Sequence, residues 1–92
     1  MLYERTIATL KKAGFSVERK IRESFRNPGE TYEQGFVARL PGKARRIEGH
    51  KQEDIVTSMR VVRDGDNDDS MSDYCAGTWV DTVKRAIAYA SQ

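Results

Sequence analysis

The chain has 92 residues, 38% of them hydrophobic and 33% charged. That makes one domain, residues 1–92, around a thin core, because a chain this short buries only about two-thirds of the surface it exposes unfolded. The formal net charge of +2 hides a division: residues 1–63 hold 14 Lys+Arg against 8 Asp+Glu, and residues 64–92 hold 2 against 6. Cys75 is the single cysteine, which excludes an internal disulfide and most structural zinc sites, and no apolar run approaches the ~20 residues of a membrane span.

Residues 2–13 read as a helix, with Tyr3, Ile7 and Leu10 at helical spacing, Glu4 in the first turn, Lys11 and Lys12 in the last, and Gly14 as the stop. From Phe15 the period becomes two. Phe15, Val17, Ile21 and Phe25 share one parity, interrupted by Arg19 and Glu23, which predicts a long half-buried strand. Asn27-Pro28-Gly29-Glu30 carries the type II turn signature. The returning strand directs Tyr32, Gln34, Phe36, Ala38 and Leu40 inward and ends at Pro41-Gly42.

Residues 41–54 read as a polar connection. A third strand covers 55–63, where Met59 and Val61 compete with Val56 and Val62 for the core face. A loop rich in aspartate follows, and whether 70–75 adds a strand stays open. The last helix runs from about Thr78 to Ala90, with Thr78 and Asp81 resembling a capping box and Trp79, Val83, Ala86, Ile87 and Ala90 as its buried stripe. The fold class expected is α+β in the order α-β-β-β-α, an antiparallel three-stranded sheet with two helices on one face.

The exposed sheet face is expected to carry Lys20, Arg22, Arg26 and Arg39, with Lys43, Arg45 and Arg46 in the connection beside it. Such cations track phosphate by releasing counterions, and arginine grips phosphate or carboxylate bidentately. A solvated face charged against edge pairing is the plainer alternative. Asp64, Asp66, Asp68 and Asp69 form an acidic loop suited to docking on a basic surface. It is no EF-hand, because the positions that require glycine and glutamate hold Asp69 and Cys75.

No motif surrounds His50 or Cys75, and Gly42, Gly49 and Gly65 fit neither a phosphate loop nor a dinucleotide fingerprint. No catalysis, cofactor or metal is expected. The aromatics Phe15, Phe25, Phe36, Trp79, Tyr3 and Tyr32 are assigned to the core, so no base stacking is expected.

The α-β-β-β-α order resembles the double-stranded-RNA-binding domain, although the entry to the last helix, where that family places basic residues, is acidic here (Asp64–Asp73). A second resemblance covers the whole chain. A compact single domain with segregated charge, in which Asp73-Tyr74-Cys75-Ala76-Gly77-Thr78-Trp79 runs into Thr82-Val83-Lys84-Arg85-Ala86, is similar to the phage-encoded anti-CRISPR proteins that inhibit type I-F surveillance complexes. That resemblance implies a non-enzymatic monomer in the cytoplasm of a bacterial host cell. It would seat on the Cas protein–guide RNA assembly, with RNA backbone contact, and block target DNA. The alternative is a stand-alone RNA- or DNA-binding module.

Overall fold

The computed structural model describes residues 2–65, 70–73 and 79–92 and, for residues 70–73 and 79–81, the backbone alone. The elements are α1 (Tyr3–Lys12), β1 (Ser16–Glu23), β2 (Thr31–Arg39), β3 (Arg45–Gln52), β4 (Ile55–Arg63), β5 (Ser70–Asp73) and α2 (Trp79–Ala90). The strands form a single antiparallel sheet in chain order, a meander from β1 to β5.

The expected three-stranded sheet is therefore wrong. The segment read as a polar connection contains β3, a central strand, and the aspartate-rich stretch is followed by β5. Residues 45–52 hide their strand character because only one large apolar side chain, Ile47, points to the core. The next inward position is Gly49. A Cβ there would run into the Phe36 ring, so the aromatic on β2 covers the site a β3 side chain would otherwise fill. Pro41-Gly42 is not the end of the sheet but a second tight turn. The Lys43 N–H donates to the Leu40 carbonyl at 3.3 Å, with Gly42 at φ 74°, mirroring the first turn, where Glu30 N–H donates to Asn27 O at 3.0 Å and Gly29 has φ 92°.

One face of the sheet carries the core. Val17, Ala38, Ile47 and Val61 form one cross-strand row on it, and Arg19, Phe36, Gly49 and Met59 form the next. Tyr3, Ile7 and Leu10 of α1 and Val83, Ala86 and Ala90 of α2 close over these rows. The charged Arg19 is tolerated on this side because it lies at the margin. Its guanidinium donates to both Glu4 oxygens at 2.7 and 2.8 Å and to Glu33 at 3.0 Å, and it lies 5.8 Å from the Tyr3 ring centroid, with Lys51 Nζ at 4.7 Å from the same ring. The Tyr3 hydroxyl is buried with no hydrogen-bond partner of standard geometry among the described residues. Burial first, and then the neighbouring Glu33 carboxylate, holds its pKa above that of an ordinary tyrosine.

Two β-bulges set which side chains face where. On β2 the register passes from Lys20↔Gly35 to Ile21↔Glu33, leaving Gln34 as the extra residue. On β4 it passes from His50↔Ser58 to Lys51↔Val56, leaving Thr57 extra. The second bulge resolves the competition in 55–63, since Val56 reaches the core from one parity, and Met59 and Val61 from the other. The first moves Tyr32 to the side away from the helices, because a one-residue insertion exchanges the faces of everything beyond it. The inward assignment of Tyr32 and Phe25 is overturned: Tyr32 is 52% exposed and Phe25 fully so.

The β2–β3 ladder stops at Gly35↔His50, whereas β1 and β2 stay paired out to Glu23↔Thr31. The β1–β2 hairpin thus overhangs the sheet beyond the reach of either helix, which is why Ile21 and Phe25, apolar and at the right parity, still face water. Among the described residues, no helix is long and apolar enough to cross a membrane. The capping pair Thr78–Asp81, the Trp79 side chain and Cys75 lie outside the described residues.

Candidate functional site: the helix-free face of the sheet

The face opposite the helices carries the rows Ser16–Arg39–Arg46–Val62, Glu18–Val37–Glu48–Arg60 and Lys20–Gly35–His50–Ser58. Beyond the bulge, Arg22 stands opposite Tyr32 on the same side. Not all the expected cations meet here. Arg45 and Arg46 are consecutive in a strand and diverge. The Arg45 guanidinium lies 4.6 Å from the Tyr89 ring centroid, on the α2 side. Lys43 sits in the β2–β3 turn and Arg26 in the β1–β2 turn, at opposite ends of the meander. The continuous basic surface expected from the sequence is therefore not formed.

Much of what remains is neutralised in place. The Arg39 Nη1 reaches the two Asp64 oxygens at 2.8 and 2.7 Å, and Arg46 Nη1 reaches Asp64 Oδ1 at 2.8 Å. Arg46 Nε donates to Glu48 Oε2 at 2.8 Å, and Arg60 Nε to Glu48 Oε1 at 2.9 Å. This is one unbroken chain, Arg39–Asp64–Arg46–Glu48–Arg60, across three strands and the following turn. Its central pair is well shielded, with the Arg46 and Glu48 side chains each 19% exposed. The basic patch and the acidic loop read from the sequence are, at Asp64, two halves of the same network. Asp66, Asp68 and Asp69 lie outside the described residues.

The pKa directions agree with this pairing. Burial pushes the Glu48 carboxyl up, but hydrogen bonds from Arg46 and Arg60 outweigh it and leave the group below its ordinary value of 4.5. The Asp64 carboxyl is held below its ordinary 3.8, first by Arg39 and then by Arg46. Arg46 is raised, chiefly by its bond to Glu48. A lowered carboxylate pKa means the unfolded chain binds more protons, so its stabilisation is complete above the unfolded value and lost as pH falls through the native one. Urea titrations are expected to show wild type more stable than Glu48→Gln at about pH 7, with the gap closing between about pH 5 and pH 3. A gap that stays constant over that window would show that Glu48 contributes no ionic stabilisation.

The end of the face nearest the overhang is arranged differently. Arg22 Nε donates to the amide oxygen of Gln34 at 2.8 Å, and among the described residues neither Arg22 nor Arg26 has an acidic partner. Lys20 Nζ has only a loose contact, 3.4 Å from the exposed Glu18. A surface hollow of about 500 Å³ lies here, where Gly35 contributes no side chain. Lys20, Arg22, Gln34 and His50 line it, with Glu18 and Glu48 among its other residues. His50 Nδ1 is 3.3 Å from Ser58 Oγ across the β3–β4 pair. Tyr32 and Phe25 lie beyond, on and at the tip of the overhang.

Of the four cations expected on this face, Lys20, Arg22 and Arg39 lie on it and Arg26 sits in the β1–β2 turn, while Arg46, expected in the connection beside it, joins the face from β3. Gln34, His50, Tyr32 and Phe25 are not among the residues expected at the site. The signal available was Gln34-Gly35 in mid-strand, since glycine inside a strand pattern marks a bulge or a close backbone approach. No protein-family model, curated protein or solved structure matches the chain.

Proposed function

We propose that the protein is a non-enzymatic binding protein that seats on a Cas protein–guide RNA surveillance complex, of type I-F, and obstructs target DNA within the bacterial cytoplasm. The supporting observation is the split of the helix-free face into an ion-paired end and an end whose arginines have no carboxylate to hold them among the described residues. Where guanidinium and carboxylate groups already satisfy each other, a partner gains little by replacing them. Arginines beside exposed aromatic groups are what binding hot spots are made of. The choice of a Cas–RNA assembly rests on the whole-chain resemblance to phage inhibitors. The emphasis moves from Arg39, Arg45 and Arg46 to Lys20, Arg22 and Arg26. The five-stranded meander departs from the order of the double-stranded-RNA-binding domain, and that topology is no part of the proposal.

The test is retention of the tagged protein on purified type I-F surveillance complex, followed by a gel-shift with labelled target DNA. Stoichiometric retention with loss of the DNA shift is expected. A protein that washes through, or a complex that binds target equally well in its presence, would overturn the proposal.

A further inference from the structure

We infer that the overhanging β1–β2 hairpin and the adjoining hollow bind single-stranded nucleic acid. Bases would stack on Tyr32 and Phe25, and phosphates would be held by Lys20, Arg22 and Arg26. This rests on, and deepens, the reading above by naming the component of the nucleoprotein that is touched.

Three independent features converge on it. First, Phe25 and Tyr32 are each more than half exposed in one hairpin, and both rings offer faces on which bases stack without regard to sequence. Second, Tyr32 stands directly opposite Arg22 in the β1–β2 register, and neither Arg22 nor Arg26 has a carboxylate partner among the described residues. The ring and the cation are thus spaced as neighbouring side chains of one ladder, about 5 Å between Cβ atoms, where one nucleotide can present its base to one and its phosphate to the other. Third, the hollow beside them has about 500 Å³, within the ~300–1,000 Å³ typical of small-ligand sites. Its wall offers the Gln34 amide and the His50 imidazole, groups able to donate to or accept from a base edge.

A duplex is disfavoured by the same arrangement, because its stacked bases offer no faces to Tyr32 and Phe25. A protein surface fits less well than an unpaired strand, since it does not supply a regular series of anions to Arg22 and Arg26, which have no acidic partner among the described residues. Glu23 does not offset the cations on the hollow side, because strand alternation sends it to the opposite side from Arg22. Of the carboxylates of the hollow, Glu48 is bound by Arg46 and Arg60, and Glu18, exposed and 3.4 Å from Lys20, offsets part of the charge of that lysine alone.

The experiment is fluorescence anisotropy with a labelled twelve-nucleotide oligo-U, its oligo-dT counterpart and a duplex, using the purified full-length protein without any Cas protein. Both single strands are expected to bind and the duplex to bind markedly less. The log–log salt slope should be near about −2, as roughly three phosphate contacts imply. Tyr32→Ala and Phe25→Ala are surface changes and should weaken binding about 5- to 100-fold each, as should Arg22→Gln to a smaller degree. Arg60→Gln, at the paired end, should leave it unchanged. No binding at about 20 mM salt, tighter binding to duplex, or affinity indifferent to Tyr32→Ala and Phe25→Ala together would overturn the inference. So would loss of retention on the surveillance complex by those variants without any oligonucleotide binding, which assigns the rings to a protein contact. Oligonucleotide binding without retention on the complex would overturn the inhibitor reading alone.

Discussion

Gly35→Val is expected to cost more than ~3 kcal/mol, a large share of the ~5–14 kcal/mol available to a domain of this length. A Cβ at position 35 would lie on the Gly49 carbonyl oxygen, far inside contact distance and close to the Gly49 carbonyl carbon and His50 Cα. All three obstacles are backbone, pinned by the ladder Gly35↔His50 and Phe36↔Gly49, so relief requires separating two central strands. Valine is otherwise favoured in strands, so propensity alone predicts a gain. Urea denaturation followed by circular dichroism decides between them. A midpoint within experimental error of wild type would show that β2 and β3 do not approach as closely as described.

The second large effect centres on Phe36, which is 1% exposed, packs at 5.9 Å from the Tyr3 ring and lies over Gly49. Phe36→Ala is expected to cost about 3–5 kcal/mol through lost burial and the cavity left behind. The pair should couple. Gly49→Ala destabilises the wild type because its methyl meets the ring, whereas in a Phe36→Ala background the same methyl enters vacated space. The cycle should give a coupling of about 1–3 kcal/mol in the sense that the double variant is better than the sum of the singles. Simple additivity would mean that the ring and the glycine do not share one volume.

The two examples also show where the sequence was legible. Helix α1, the first hairpin with its Pro28-Gly29 turn, and the Val83, Ala86, Ala90 stripe of α2 follow from periodicity, because most of their core-facing positions are apolar, with Thr6, Arg19 and Thr82 as the exceptions. β3 does not follow, because half of its contribution to the core is the absence of a side chain at Gly49, and an absence leaves no hydrophobic period. Tyr32 and Phe25 were misassigned for two physical reasons. A single extra residue, Gln34, exchanged the faces of β2, and the hairpin outran the helices that would have covered it. The cations were legible as a set but not as a surface, since pairing of Arg39 and Arg46 with Asp64 joins residues 18 to 25 positions apart. The division of charge along the chain, plain in the sequence, is thereby undone at that point in space.

The two ends of the helix-free face differ, one ion-paired through Asp64 and Glu48 and the other keeping Arg22 and Arg26 without acidic partners among the described residues, and the second is the end proposed to meet a partner. Retention on the type I-F surveillance complex, measured in parallel for Arg22→Glu with Arg26→Glu and for Arg39→Gln with Arg60→Gln, tests this directly. The first pair is expected to weaken retention at least about tenfold, the equivalent of ~1.4 kcal/mol, with thermal stability near wild type. The second is expected to lower stability and leave retention intact. Retention lost in the second pair and kept in the first would contradict the account.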